Sequence, residues 1–372
     1  MSRCKVIVWG TGLIGQYALT HLLRRPEFEV VGVKCHTEAK DGLDAGELLQ
    51  GGRALTGIRV TRDRAALLTL DADAVIYAPF DPMTDPSVEG SPNAALVDDV
   101  VLLLRSGKNV LTTLVTFSHW RQLSCGEELH DRIEEACSEG NSSFFMSGID
   151  PGLLTDTLAF SLSGLAMDVT QVSTWEILDY GCYERVEQVK MLGFGSKPEF
   201  VATEGAETLR LCWGGCAHAM ADAFGVELEK IRVHVDVALA PEPFTSESGL
   251  FIDTGTIEAI SWTVAGVRAG RDLFSVNHVT RIGPTAGSEF RNIGHDGGYA
   301  IEVNGFPPIR AEFPFGLPGS TGRGWLDAMA VSSFRLVNAI DCVRQAHHGW
   351  RLAHELNRLG GRFALKSFNF LG

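Results

Sequence analysis

The sequence predicts an α/β fold, in which a doubly wound parallel sheet forms the first part and an α+β domain with a mainly antiparallel sheet the second. Strand and helix patterns alternate as far as about residue 150, as a parallel sheet with crossover helices requires. From Val169 onward, long strands of alternating residues follow one another with few helices, which is typical of an antiparallel sheet. We therefore predict a first domain over 1–150, a second over 151–325, and a C-terminal helical segment, 326–372, that packs back on the first domain.

The first domain opens with an apolar strand, Lys5 to Trp9, which leads into a glycine turn and a helical pattern. The later elements are predicted in this order: strand Phe28–Cys35, strand Asp73–Pro79, helix Ala94–Ser106, strand Lys108–Thr113, helix Gly126–Cys137 and strand Ser143–Gly148. The strand at 73–79 is apolar in both alternating positions, so we expect it to be buried on both faces. The proline-rich loop after it, 79–93, either borders a ligand at the carboxyl end of the sheet or is a surface excursion.

The second part begins with a Gly-Ile-Asp-Pro-Gly turn, 148–152, followed by an apolar helix from about Leu153 to Leu165. The predicted strands are Val172–Leu178, Ile231–Leu239, Gly255–Arg268, Leu273–Ile282 and Tyr299–Val303. A helix at about 204–224 interrupts them, and a strongly helical segment, Ala328–His347, follows the last strand. We expect the sheet to form one wall of a substrate cavity, with its other face available for dimer packing.

The most informative motif is the glycine turn between the first strand and the first helix. Its residues are Gly10, Thr11, Gly12, Leu13, Ile14 and Gly15. In such a turn, the first glycine permits a sharp bend, the second lets backbone N–H groups approach phosphates, and the third lets the helix pack closely on the strand. The helix N-terminus adds unpaired donors and a partial positive charge. The context predicts a Rossmann-type dinucleotide site at these residues; the alternative is a plain structural turn.

The end of the second strand indicates which dinucleotide is bound. An NAD-preferring site places an Asp or Glu there to accept hydrogen bonds from the ribose 2′-OH. This chain has Lys34 and His36 at that position, with Lys40 just beyond, and cationic groups attract a 2′-phosphate. We therefore favour NADP(H), with NAD(H) as the alternative. In that alternative, the lysines are surface charges and Glu38 or Asp41 holds the ribose.

Other residues are assigned to the cofactor by their position in the predicted sheet. Ala78 and Pro79 end one strand, and Thr112 and Thr113 end the next. Ligands of open α/β sheets bind outside these carboxyl ends, so we place the four residues beside the cofactor. Asp150 lies near the cap of a helix whose N-terminus the Gly-Ile-Asp-Pro-Gly turn can direct toward the same crevice, and we add it to this set. The alternative for this turn is an interdomain joint.

Charge and composition exclude several classes of function. The net charge is −14, with 46 acidic and 32 basic residues and no basic run, so neither nucleic acid nor an anionic membrane is an expected partner. We find no apolar stretch of the roughly 18 residues that a membrane span needs, and no signal peptide before the first strand. Eight scattered cysteines fit reduced thiols in the cytoplasm, and the spacing of Cys212 and Cys216 is not that of a metal or redox site. We expect a metal-free, cytoplasmic homodimer with a small-molecule substrate.

Five segments, taken together, resemble one family. They are the opening glycine turn, Asp44–Leu48, Gly107–Val110, Gly148–Gly152 and Val337–Ile340. In order and spacing they are similar to the dihydrodipicolinate reductase-like oxidoreductases, which include 2,4-diaminopentanoate dehydrogenase and the native amine dehydrogenases. The resemblance covers most of the chain. It implies a two-domain dimer in which a nicotinamide cofactor passes hydride to or from a carbon bound to nitrogen or oxygen.

The resemblance leaves the amine chemistry open. Amine dehydrogenases of this kind have a catalytic glutamate just after the strand that here ends at Thr113, whereas residues 114–120 contain no carboxylate. The reductase of lysine synthesis has a paired-histidine and lysine motif, and nothing similar is found here. The chain therefore resembles the family in fold and cofactor more closely than in its catalytic group.

Hydride transfer requires a polar group for the developing charge and a proton source. Our catalytic candidates are His119, which follows a strand that should end near the nicotinamide, and Glu176 and Tyr180, which lie on or just after the first strand of the second domain. Further acid candidates are Tyr183, His218, His295 and Tyr299. We predict an NAD(P)H-dependent oxidoreductase acting on a C=O or C=N carbon of a largely apolar small molecule. The alternatives are an amine dehydrogenase and an NADP-binding sensor without catalysis.

Overall fold

A computed structural model describes residues 3–49, 55–82, 90–118, 126–183, 185–201, 205–356 and 359–360. The chain divides into two compact units. The first unit consists of Met1–Phe117, Cys125–Gly148 and Met329–Gly372, and the second of Ser118–Ser124 and Ile149–Ala328. In the described part of the chain, no helix is both long enough and apolar enough to cross a membrane.

The described residues form the following elements. The strands are β1 Cys4–Trp9, β2 Phe28–Lys34, β3 Val60–Thr61, β4 Ala74–Tyr77, β5 Asn109–Thr112, β6 Ser143–Met146, β7 Met167–Asp179, β8 Lys230–Leu239, β9 Phe244–Thr245, β10 Phe251–Ile252, β11 Ile257–Arg268, β12 Arg271–Arg281, β13 Gly298–Phe306, β14 Ile309–Pro314 and β15 Gly349–Arg351. The α-helices are α1 Leu13–Leu22, α2 Arg64–Thr69, α3 Pro92–Arg105, α4 Gly126–Gly140, α5 Ala159–Ser163, α6 Val186–Met191, α7 Ala206–Ala223 and α8 Gly324–Gln345.

The first unit is built on a parallel sheet whose strand order is β15-β6-β5-β4-β1-β2-β3. The order reverses at β1, which is the doubly wound arrangement. Alternate residues of β1 enter two cores on opposite faces: Val6 and Val8 pack with α1 and α8, whereas Ile7 and Trp9 pack with α3 and α4. This confirms the predicted fold class for the first part of the chain. The carboxyl ends of β1 and β4 flank the position where such sheets bind ligands.

The second unit is built on a sheet with the order β14-β13-β7-β12-β11-β8. Its pairs are antiparallel except for β7 and β12, which are parallel. Helix α7 packs on β8, β11 and β12, and α5 packs on β7 and β13. The prediction of a mainly antiparallel sheet is thus confirmed. The structure adds β14, the hairpin β9–β10 and helix α6 to the elements that the sequence predicts.

One helix differs from its predicted form. The apolar segment at 153–165 begins with a π-helical turn, Leu154–Leu158, and continues as the short α5. Gly152 lies immediately before it with a φ of 140°, a conformation that favours glycine, and donates its N–H to the Thr155 hydroxyl at 3.0 Å. The local hydrogen bond and the wide first turn replace a regular α-helical start. The apolar pattern of the sequence does not indicate this replacement.

Candidate active site

The glycine turn of the first unit is packed so closely that side chains would not fit. Gly10 has a φ of 127°, and a Cβ on it would lie 2.2 Å from the Ala78 carbonyl oxygen. A Cβ on Gly15 would lie 2.0 Å from the Gly10 carbonyl oxygen. Helix α1 starts after Gly12, and its first backbone bond runs from the Gln16 N–H to the Gly12 carbonyl at 2.9 Å. The earlier N–H groups therefore point out of the helix end, an arrangement that fits a dinucleotide pyrophosphate.

Two lysines approach this turn from the segment that ends β2 and follows it. The Lys40 ammonium donates to the Thr11 carbonyl oxygen at 3.0 Å and lies 3.4 Å from the Thr11 hydroxyl oxygen. The Lys34 ammonium lies 5.3 Å from the centre of the Trp9 ring, whereas His36 is exposed. Positive charge is thus concentrated at the glycine turn. The assignment of Lys34 and His36 to a 2′-phosphate stays a prediction.

The strand-end residues assigned to the cofactor lie at the carboxyl edge of the parallel sheet. Ala78 is buried and supplies the carbonyl that crowds the glycine turn, and Pro79 follows it half-buried. Thr112 is fully buried, and its hydroxyl oxygen accepts the Leu114 N–H at 3.2 Å. Thr113 is half-buried. Their contact with a cofactor remains a prediction.

The structure also brings a carboxylate to the segment after β5, where the sequence has none. Asp81 accepts the Thr116 N–H at 3.0 Å and the Thr116 hydroxyl at 2.8 Å. It also accepts the Asn93 side-chain amide at 2.7 Å. Asp81 comes from the loop after β4, of which residues 83–89 lie outside the described residues. These bonds fix the two loop segments to each other.

Of the three catalytic candidates, His119 lies outside the described residues, whereas Glu176 and Tyr180 lie within them. Glu176 lies on β7 in the second unit, opposite Tyr299 of β13 on one side and His278 of β12 on the other. On β11, Trp262 lies opposite His278. Cross-strand partners project from the same face of a sheet, so four strands place these side chains in one continuous row.

Glu176 is the acceptor at the centre of this row. The Tyr299 hydroxyl donates to its Oε2 at 2.8 Å, and the Tyr180 hydroxyl donates to its Oε1 at 3.2 Å. The Nδ1 atom of His278 lies 3.4 Å from the same Oε1. Tyr180 in turn stacks on Tyr183, with ring centres 5.2 Å apart. Glu176 and Tyr180, predicted from the sequence as catalytic, are therefore hydrogen-bonded partners.

A second carboxylate lies on the opposite side of the imidazole. Asp150 Oδ2 lies 3.1 Å from His278 Nε2, and Asp150 Oδ1 accepts the Trp213 indole N–H at 3.1 Å. Trp262 stacks on His278, with ring centres 3.9 Å apart and planes inclined by 22°. We call Asp150, Glu176, Tyr180, His278 and Tyr299 the acid–histidine cluster. The assignment of Asp150 to the cofactor stays a prediction, and its contacts here are with this cluster.

Burial controls the protonation of the cluster. Glu176 is 5% exposed, His278 4%, and the Asp150 side chain 0%. Burial raises the pKa of Glu176 above its usual range, while His278 opposes the increase and Asp150 adds to it. Burial acts to lower the pKa of His278, but the carboxylates of Glu176 and Asp150 raise it above its ordinary value. Groups with pKa values displaced in this way can exchange protons with a substrate near neutral pH.

Sequence reasoning missed His278 and Trp262, and it named Trp213 only as one of several aromatic residues that could line an apolar pocket. His278 lies in the strand Arg271–Arg281, where Val276 and Thr280 flank it on the same face. A histidine at an inward position of a long strand is the available signal, but such a residue is usually part of the core. Trp213 lies on α7, far from either strand in the sequence. Only the strand register joins His278 and Trp262 to Glu176, and only the packing of α7 on the sheet adds Trp213.

Comparisons with known proteins agree with this architecture. An amine dehydrogenase from Streptomyces virginiae is 32% identical over 347 residues, which cover 92% of this chain and 93% of that protein. The structure of an amine dehydrogenase from Mycobacterium smegmatis has a TM-score of 0.76 at 17% identity, covering 97% of this chain and 98% of that one. A scyllo-inositol dehydrogenase from Lactobacillus casei shares the fold, with a TM-score of 0.52 at 16% identity over 91% of this chain and 88% of that one. No protein-family model matches the chain.

The fold, the glycine turn and these relatives define an NAD(P)-dependent oxidoreductase with a small-molecule substrate. Within that class, the chain belongs to the amine dehydrogenase family. This confirms the resemblance on which the sequence analysis relied.

Proposed function

We propose that this protein is an NADP(H)-dependent amine dehydrogenase, which interconverts an amine and the corresponding carbonyl compound plus ammonia. The observation that carries the proposal is the acid–histidine cluster, which offers two buried carboxylates beside a tyrosine hydroxyl. The cluster contains two carboxylates and one imidazole, so its acidic groups outnumber its basic one. It therefore favours binding of a substrate whose nitrogen is cationic or donates a proton over binding of a neutral carbonyl compound. The relatives named amine dehydrogenase support the same reaction.

A bound nicotinamide supplies or accepts the hydride. The glycine turn and the start of α1 hold its pyrophosphate through backbone N–H groups, because no Cβ can be accommodated at Gly10 or Gly15. In the oxidative direction, the substrate carbon loses a hydride and the substrate nitrogen loses a proton; the resulting imine then takes up one water molecule and divides into the carbonyl compound and ammonia. Tyr180 accepts this proton as its own hydroxyl proton moves to Glu176, to which it already donates at 3.2 Å. In the reductive direction, the same two protons move back and the nitrogen is protonated.

Aromatic side chains complete the proposed substrate site. Trp213 and Trp262 lie against His278, and their ring centres are 4.8 Å apart. Aromatic faces suit both the apolar body of a substrate and the positive charge of its ammonium group. We therefore propose a largely apolar amine as the substrate.

The preference for NADP(H) rests on the charges around the glycine turn. The Lys40 ammonium already contacts Thr11 of the turn. Asp41, which could accept a ribose 2′-OH, instead accepts the Arg62 N–H at 3.0 Å. An ammonium group near the adenosine ribose attracts a 2′-phosphate, whereas a free carboxylate would repel it.

The homodimer is likewise a proposal. Strand β8 is a sheet edge of 10 residues with exposed alternate side chains, and edge strands are prone to pair with another chain. Light scattering of the purified protein tests the proposal. A molar mass near 80 kDa, twice the 40.3 kDa of one chain, supports it, and a monomer overturns it.

The experiment for the proposed function is a two-way assay. We expect NADP⁺ reduction with apolar primary amines, and NADPH oxidation with the matching ketones or aldehydes only when ammonium is present. Turnover of carbonyl compounds without ammonium would replace the proposal with a carbonyl reductase. Tyr180→Phe should lower kcat about 100-fold, because the relay loses its first proton acceptor. Tyr183→Phe is the matched control: it keeps the ring that stacks on Tyr180 but removes a hydroxyl that donates to Gln188, outside the cluster, and should retain most of the activity.

A further inference from the structure

We propose that His278 is a positioning residue of this enzyme, a bridge that is cationic at neutral pH and keeps Glu176 ionised as the proton acceptor for Tyr180. The proposal rests on the proposed function for the identity of the reaction. It concerns a residue in the middle of β12 to which neither the sequence motifs nor the relay itself assigns a role.

The geometry of the ring is the first argument. Nε2 of His278 lies 3.1 Å from Asp150, and Nδ1 lies 3.4 Å from Glu176. A neutral imidazole has only one N–H, so its other nitrogen would direct a lone pair at a carboxylate oxygen. The imidazolium has a donor on each nitrogen, and its charge attracts both carboxylates. Two carboxylates on opposite sides of one buried ring therefore favour the doubly protonated form.

The surroundings hold the ring in this orientation. Trp262 stacks on one face at 3.9 Å, and Trp213 meets the ring edge-on with centres 5.2 Å apart. Trp213 also donates its indole N–H to Asp150, which fixes that carboxylate toward the histidine. Aromatic faces favour a cationic partner over a neutral one. These contacts restrict rotation of the imidazole ring and keep its two nitrogens directed at the two carboxylates.

The charge balance gives His278 its proposed effect on Glu176. The titratable groups that face the ring are Asp150, Glu176 and, through Glu176, the hydroxyls of Tyr180 and Tyr299. Burial keeps both hydroxyls neutral by raising the pKa of each tyrosine well above its usual range. On α7, burial likewise raises the pKa of the Cys216 thiol near Asp150, so it stays neutral. The imidazolium is therefore the positive charge that offsets two carboxylates within this cluster.

Loss of that charge has a definite consequence. Two buried carboxylates without a cation repel each other, and one of them takes up a proton. Glu176, which burial already biases toward the protonated form, is the group affected. A protonated Glu176 is a poor acceptor for the Tyr180 hydroxyl, so the relay stops at neutral pH. At higher pH Glu176 ionises again and the relay resumes.

The test measures the pH profile of amine oxidation for wild type and His278→Gln. Glutamine keeps hydrogen-bonding capacity in the row but removes the charge. We expect the acid limb of kcat/KM to move up by about one to three pH units. Activity near pH 7 then falls about tenfold or more and recovers in alkaline solution. The matched control is His218→Gln. It replaces a half-buried histidine of α7 that lies outside the cluster, so the pH profile should stay unchanged. A uniform loss of activity at all pH values would indicate a structural role and overturn the proposal.

A second measurement needs neither activity nor a variant that folds well. In wild-type protein with ¹⁵N-labelled histidine, we expect the His278 ring to be protonated on both nitrogens at pH 7 to 8, above the ordinary pKa of about 6.5. A neutral ring at pH 7 would overturn the proposal even if the enzyme turns over amines. Conversely, a cationic ring in a protein that oxidises no amine would count against the proposed function and leave the charge assignment standing.

Discussion

The glycine turn of the first unit and the acid–histidine cluster of the second are assembled in opposite ways. The turn is contiguous, so its six residues, Gly10–Gly15, shape a phosphate-binding loop by local conformation alone. The cluster draws on a loop, three strands and the residues after β7, spread from Asp150 to Tyr299. Local geometry can be predicted from a motif, whereas a cross-strand row exists only once the register is set. We therefore expect substitutions in the glycine turn to impair cofactor binding and substitutions in the cluster to impair proton transfer, each without the other.

The largest effect is expected at the glycine turn. In Gly15→Ala, the new Cβ would meet the Gly10 backbone carbonyl at 2.0 Å, which cannot move without opening the turn. We expect the free energy of unfolding to fall by about 3 kcal/mol and NADPH binding to be lost with it. Urea unfolding and NADPH fluorescence titration measure the two effects.

The control for this variant is Gly360→Ala, since a Cβ there would meet nothing within 4 Å. Its stability should stay within about 0.5 kcal/mol of wild type. A Gly15→Ala protein with normal stability and normal cofactor affinity would show that the turn is not the site we describe.

Glu176→Gln should separate chemistry from binding. The amide keeps the shape of the side chain but cannot accept the proton from Tyr180, so kcat should fall about 100-fold or more. The affinity for NADPH should remain unchanged. Steady-state kinetics with an active amine, together with cofactor titration, checks both expectations.

Glu242→Gln changes an exposed carboxylate of the same unit and should behave as wild type. If Glu176→Gln retains full kcat, Glu176 is a structural ion-pair residue and the proton must move through another group.

A smaller effect is expected from Lys40→Ala in the first unit. The variant would remove the proposed hydrogen bond from the Lys40 ammonium to the 2′-phosphate, and a hydrogen bond between charged groups contributes about 1.5–3 kcal/mol. The Kd of NADPH should therefore rise about tenfold or more, whereas that of NADH, which has no 2′-phosphate, should stay the same. Titration with 2′,5′-ADP and 5′-AMP gives the same comparison without the nicotinamide. Lys5→Ala removes an ammonium that pairs with Asp71 and serves as the control. Equal losses for both cofactors would argue that Lys40 only supports the turn at Thr11.

The smallest effect is the pH dependence of stability. The pKa of His278 is raised in the folded state, so the native protein binds more protons than the unfolded chain near neutral pH. Stability from this histidine is present at low pH and is lost as pH rises through its folded pKa. We expect the free energy of unfolding to decrease above about pH 6.5, and less steeply in His278→Gln. Identical slopes in urea unfolding would show that the histidine does not titrate with folding.

The elements that could be predicted from the sequence are those with local signals. The first strand, the glycine turn and the alternation of strands and helices led to the doubly wound sheet, and long alternating strands led to the antiparallel one. Glu176 and Tyr180 were predicted because they lie together on and after one strand, four residues apart. Asp150 was noticed for its turn, but neither His278 nor the hydrogen bond from Trp213 to Asp150 was predicted.

By itself the sequence determined the two kinds of sheet and the phosphate-binding turn, because periodicity and glycine spacing act over a few residues. The tertiary structure alone decided that Tyr299, Glu176, His278 and Trp262 form one row, since the pairing of β13, β7, β12 and β11 sets which residues are opposite. A shift of one residue in any pair would turn a side chain to the other face. Burial then raises the pKa of Glu176, whereas the carboxylates of Glu176 and Asp150 raise the pKa of His278, and no local pattern indicates either shift.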